Sequence, residues 1–150
     1  MGRLEETKNI MENVAWSFHG LPYIWGGDDP MKGFDCSGFV IEILKSVALL
    51  PRKGDWTAQG LYNRFLITHQ TQAEPEFGCL AFWHSPWGEE TDKIVHVEFC
   101  LNDFLTMGAS GGGSKTKTEE DASAQNAYIK VRPIRQTNLK TIINVLKRLE

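Results

Sequence analysis

A chain of 150 residues with 41% apolar side chains and five tryptophans can bury one core, and one domain over residues 1–150 is expected. Its formal net charge of −3, with no long Lys/Arg tract, excludes the basic footprint of a nucleic-acid binder. Three cysteines, far apart and without a C-x-x-C pair, build neither a disulfide framework nor a zinc ribbon, and their odd number leaves at least one thiol free.

The first stretch is charged and carries Leu4, Met11, Val14, Ala15 and Phe18 at helical spacing, which predicts an amphipathic helix over about 4–18. It has neither the apolar region of a signal peptide nor the length of a membrane span. Synthesis in the cytoplasm, without membrane attachment, is therefore expected. A Pro/Gly-rich loop carrying Tyr23 follows. Phe39, Val40, Ile43, Leu44 and Val47 then share one helical stripe, with Asp35 just ahead as N-cap, and predict a helix that opens at Cys36 and ends before Pro51. A short helix is expected from Thr57 to Phe65, capped by Thr57. After Pro75 the pattern turns to strands over about 79–84, 94–101, 104–107 and 128–134. The Gly/Ser-rich, charged segment 109–127 reads as mobile, either a lid beside a site or an inert insertion. Leu139, Ile142, Ile143, Leu146 and Leu149 predict a last amphipathic helix. Helices followed by a mostly antiparallel sheet give an α+β architecture, with the cysteine helix packed on the sheet and a C-terminal helix closing it.

Cys36 stands where a polar turn gives way to an apolar helix. In a first helical turn, unpaired N–H groups and the positive end of the dipole stabilise a thiolate and can receive an oxyanion. The plainer role is that of a buried cysteine acting as a small hydrophobe. In the stretch from Ile94 to Leu101, period-2 alternation sets Val95, Val97 and Phe99 on one face and His96, Glu98 and Cys100 on the other. Within reach of Cys36, His96 would complete the thiol–imidazole pair that generates a nucleophile and then protonates a leaving amine. Otherwise it is a polar residue on a solvated strand face. Glu98 shares its face about 6.6 Å along the strand, near enough for a carboxylate to reach the ring. His19, His69 and His84 lack such support. His96 and Cys100 lie about 13 Å apart along a strand, too far to share one zinc ion. Cys79 and Cys100 read as packing residues, and neither metal nor cofactor is expected. Trp25, Trp56, Trp83 and Trp87 are core or cleft walls, with only Trp87 placed in an exposed loop.

The strings YIWGG (23–27), GFDCSGFV (33–40), GCLAFW (78–83) and HVEFCL (96–101) resemble, in order and approximate spacing, the NlpC family of cell-wall cysteine peptidases, compact relatives of papain. The resemblance runs from about Tyr23 to Ser110 and implies a papain-like NlpC-type fold, with Cys36 as nucleophile and His96 as base. It implies that Tyr23 lies beside the thiol and holds substrate or oxyanion, and that Asp35 and Ser37 recognise the free amino end of a peptidoglycan stem peptide. For Asp35 that role stands beside helix capping. The family commonly orients its base with a second polar residue about twelve positions on, before a small-residue pair. Here that place reads Met107-Gly108-Ala109-Ser110, and Gly108 has no side chain. Three arrangements are open: a backbone carbonyl orients His96, another side chain does, or the enzyme is weakened. Glu98 is the best-placed substitute, ahead of Asn102 and Ser110.

The implied reaction is hydrolysis of the bond from γ-D-glutamate to a diamino acid in the stem peptide. With no export signal or wall-binding module in view, action is expected on wall fragments in the cytoplasm, or at the wall after phage delivery in a tail or lysis assembly. Two other functions fit the same fold, an amidase or acyltransferase and a catalytically silent binding module.

Overall fold

The computed structural model describes residues 2–29, 33–68 and 73–147. Helix α1 (Arg3–Ser17) buries Met11 and Ala15. A two-stranded ribbon, β1 (Asp28–Asp29) against β2 (Gly33–Phe34), leads into α2 (Cys36–Ser46), whose buried Phe39, Val40, Ile43 and Leu44 are the stripe the sequence predicts. Helix α3 (Ala58–Thr68) opens under Thr57, whose Oγ1 accepts the Gly60 N–H at 3.0 Å. Strands β3 (Leu80–His84), β4 (Ile94–Cys100) and β5 (Leu105–Ser110) follow, then α4 (Glu119–Gln125), β6 (Tyr128–Pro133) and β7 (Leu139–Ile143).

The five long strands form one antiparallel sheet in the order β6-β5-β4-β3-β7. Helix α2 packs against β4 and β5, and α3 against β4. Phe82, Val97 and Phe99 join Phe39, Ile43 and Leu44 in the main core. Fully burying side chains of this size stabilises by about 1.5–3 kcal/mol each. A second, smaller cluster holds Cys79, Ala81, Trp83, Cys100 and Ile142. Cys79 and Cys100 are both wholly buried and unbridged, as packing residues are.

Four expectations are corrected. Residues 139–143 form an edge strand rather than the start of a C-terminal helix, pairing Leu80 with Ile143 and Ala81 with Ile142. The helical spacing of Leu139, Ile142, Ile143 and Leu146 is real, but the β-branched run Thr141-Ile142-Ile143 favours a strand and gains a ladder along β3. Leu149, from that expected helix, and His69 lie outside the described residues.

The segment read as Gly/Ser-rich and mobile carries regular structure. Its first residues finish β5. Thr118 then closes a capping box with Asp121 at the start of α4, Asn126 ends that helix in the left-handed region at φ 53°, and Thr116 is wholly buried. Val95 does not share the buried face of Val97 and Phe99. Trp83 pairs with His96 and His84 with Ile94, so Val95 is the extra residue of a β-bulge and turns to solvent. That bulge immediately precedes His96. Trp16 and Trp25 are exposed along with Trp87.

Candidate active site

Cys36 is the first residue of α2 and is partly exposed. Asp35 caps the helix: its Oδ1 accepts the Gly38 N–H at 2.7 Å and the Ser37 hydroxyl at 3.3 Å. Burial pushes the Asp35 pKa up, opposed by those two hydrogen bonds. The turn formed by Trp25-Gly26-Gly27 holds this helix end in place, since the Gly27 carbonyl accepts the Asp35 N–H at 3.1 Å. The same carbonyl lies where a Cβ on Gly38 would project, with Asp35 Oδ1 only 2.9 Å from that point. Only glycine at position 38 lets the turn approach so closely.

Tyr23 is buried and its backbone is tied on both sides, its N–H donating to Ala127 O at 3.0 Å and its strand bridging to Phe34. Burial, with the charges of Cys36 and Asp35, pushes the phenol pKa upward. The phenol therefore keeps its proton at neutral pH.

His96 bridges two elements. Its side chain lies close enough to Cys36 for the thiol to raise its pKa, and its Nε2 lies 2.6 Å from Glu98 Oε2. Glu98 is wholly buried, and every polar contact a buried carboxylate requires is present. Arg132 Nη2 donates to Oε2 at 2.6 Å from β6, and the Thr106 hydroxyl donates to Oε1 at 2.7 Å from β5. Gly108 is what makes room: a Cβ there would collide with Glu98 Cγ and lie 2.9 Å from its Cδ. The missing side chain at 108 and the carboxylate at 98 are one arrangement. Of the other two substitutes, Asn102 spends its Oδ1 on the N–H groups of Phe104 and Leu105. Ser110 Oγ is buried and has no partner among the described residues.

Burial pushes the Glu98 pKa up, but the hydrogen bonds and charges of His96 and Arg132 outweigh it and hold the group at about 2, below its ordinary 4.5. For His96, burial pulls the pKa down, and the hydrogen bonds and charges of Cys36 and Glu98 raise it from 6.5 to about 9. The depressed Glu98 value stabilises the fold above about pH 4.5, and this is lost as pH falls toward 2. The raised His96 value stabilises below about pH 6.5, and this is lost as pH rises through 9. Calorimetric melting temperatures are therefore expected to fall on both sides of that window, and Glu98→Gln should flatten the acid side. An acid limb unchanged in Glu98→Gln would contradict the assignment.

A cleft of about 510 Å³ opens beside His96, lined among others by Tyr23, Trp83, Ser110, Arg132 and Arg135. The Trp83 and His96 rings lie 5.4 Å apart. Sequence reasoning did not find Arg132, Thr106 or Arg135. Among the described residues no cluster of three or more His, Cys, Asp or Glu side chains could hold a metal ion. Likewise no described helix is long and apolar enough to cross a membrane.

A cysteine at a helix N-terminus, beside a histidine on an adjoining antiparallel sheet, places the molecule in the papain-like class of α+β folds. The chain belongs to the NlpC/P60 family, whose model matches residues 20–133. It is 40% identical over 77 residues to the probable endopeptidase YafL of Escherichia coli (strain K12), covering 50% of this chain and 29% of YafL. It is 29% identical over 113 residues to the bifunctional muramidase/DL-endopeptidase CwlT of Bacillus subtilis (strain 168), covering 75% of this chain and 32% of CwlT. The chain thus spans about a third or less of these two relatives. The peptidoglycan hydrolase RipB of Mycobacterium tuberculosis has the same fold, with a TM-score of 0.67 at 24% identity over 97% of this chain and 68% of that one.

Proposed function

We propose that the chain is a cysteine-type peptidoglycan endopeptidase that cuts the stem peptide between γ-D-glutamate and a diamino acid. The observation that carries this is Cys36 at the opening of α2 beside His96, whose ring is held by a buried Glu98 that Arg132 and Thr106 fix in turn. Relatives named as endopeptidases supply the substrate class.

In the proposed mechanism Cys36 Sγ attacks the amide carbon while the carbonyl oxygen takes the negative charge. The Tyr23 hydroxyl and the N–H groups opening α2 receive that oxyanion, excepting the Gly38 N–H, which Asp35 occupies. The His96 imidazolium gives its proton to the departing amine as the C–N bond breaks. Neutral His96 then takes a proton from water, hydroxide adds to the thioester carbon, and Cys36 leaves as thiolate with the imidazolium restored. Glu98, itself fixed by Arg132 and Thr106, is the positioning residue that sets the ring orientation. The Asp35 carboxylate, beside Ser37 at the same helix end, pairs with the ammonium of the free amino terminus of the stem.

Digestion of purified peptidoglycan and of a soluble stem tetrapeptide, followed by mass spectrometry, tests this. Release of the L-Ala-D-Glu dipeptide is the expected result. Ester or lipid turnover without peptide cleavage would overturn it in favour of an acyltransferase, and no product from folded protein would overturn catalysis altogether.

A further inference from the structure

Resting on the peptidase function above, we propose that Arg135 binds a carboxylate borne by the residue whose amine leaves, making the cleft beside His96 an anion-selective site for the leaving half of the substrate. The general acid must lie within hydrogen-bond reach of the nitrogen it protonates, so the leaving residue sits on the His96 side of the thiol. The cleft on that side runs past Trp83 to Arg132 and Arg135.

Its two guanidiniums differ in their partners. Arg132 is engaged by Glu98 at 2.6 Å. Arg135 makes no ion pair among the described residues, and its Cζ lies 4.9 Å over the Trp83 ring. Trp83 Nε1 donates to the Arg135 carbonyl at 3.0 Å, so backbone and guanidinium are both held against the same indole. A stacked, pre-oriented fork loses little freedom on binding and matches a carboxylate in two parallel hydrogen bonds. Burial, and then the neighbouring Arg132 charge, pull the Arg135 pKa down, a mutual repulsion that an anion between the two would relieve.

One further feature points to a ligand. Ser110 Oγ, buried in the wall of this cleft, has no partner among the described residues, and a buried hydroxyl left so is costly until a ligand group meets it.

The carboxylate has two sources in a diamino acid, its α-carboxyl group or a second one on its side chain. Three peptides L-Ala-γ-D-Glu-X separate them, with X as lysine amide, lysine free acid, or diaminopimelate amidated at the α-carboxyl group. The wild type is expected to favour one of the acid-bearing peptides over lysine amide by about tenfold in kcat/KM, chiefly through KM. Arg135→Gln should shrink that ratio below about twofold, and Arg135→Lys should leave an intermediate preference because it keeps the charge without the fork. Rates within twofold for all three peptides in the wild type would overturn the anion site and leave the peptidase function standing. A preference that survives in Arg135→Gln would do the same. Failure of the folded wild type to cleave any of the three would overturn the peptidase function and this site with it.

Discussion

Cys36→Ala is expected to lower kcat on a stem peptide by roughly 10⁴-fold or more while leaving the fold intact. The side chain removed is the only thiol in the described structure that is not wholly buried, since Cys79 and Cys100 are both at 0% exposure. Alanine is a good helix former, and position 36 is held by its neighbours: the Asp35 carboxylate still caps Gly38, and the Gly27 carbonyl still binds Asp35. Melting temperature should stay within a few degrees of the wild type. The same exposure pattern predicts the chemistry of the thiols. Iodoacetamide should label one thiol per native chain and all three cysteines after unfolding. Because Cys36 and Glu98 raise the His96 pKa to about 9, an imidazolium stands beside Sγ at neutral pH. Loss of that neighbouring ring in His96→Ala should slow the labelling of Cys36. Hydrolysis retained above about 1% in Cys36→Ala, or native labelling at Cys79, would sink the assignment of Cys36 as nucleophile.

What the sequence discloses about this site follows the range of each signal. The cap at Asp35, the buried stripe behind Cys36 and the Thr57 cap are local patterns within about two helical turns, and the structure realises each one. Glu98 was legible for the same reason, because period-2 alternation puts it on the His96 face without any knowledge of other strands. Arg132 and Thr106 were not. They reach Glu98 only because β5 and β6 stack beside β4, and nothing local in the stretch from Tyr128 to Pro133 announces which strand it will join. The C-terminal strand failed through competition: a helical spacing of apolar residues was present, and pairing along β3 overrode it. The regular structure in 109–127 was missed despite a usable signal. Thr118-x-x-Asp121 is a capping box, masked by the Gly/Ser-rich composition just ahead of it.

Glu98→Ala is expected to destabilise the fold by about 3–5 kcal/mol, the range for removing one partner of a buried ion pair, because Arg132 and His96 lose their common acceptor. Glu98→Gln separates charge from shape. Its carbonyl can still accept from His96 Nε2, so the ring stays oriented, but the charge that helps raise the His96 pKa is gone. In the proposed mechanism activity falls as His96 loses its proton, so the alkaline limb of kcat/KM should lie near pH 9 in the wild type and move to lower pH in Glu98→Gln. A merely structural carboxylate would leave that limb where it is. Gly108 supplies the independent check. Gly108→Ala drives a methyl group into Glu98 Cγ and Cδ and should cost about 1–3 kcal/mol with a parallel loss of activity. In a Glu98→Ala background the two closest atoms are gone and only Cβ, at 3.1 Å, remains near the new methyl group. The second substitution should then cost less by about 1 kcal/mol or more, a coupling read directly from a double-mutant cycle. Strict additivity would mean that Gly108 and Glu98 do not share one space, and the orienting group for His96 would have to be sought elsewhere.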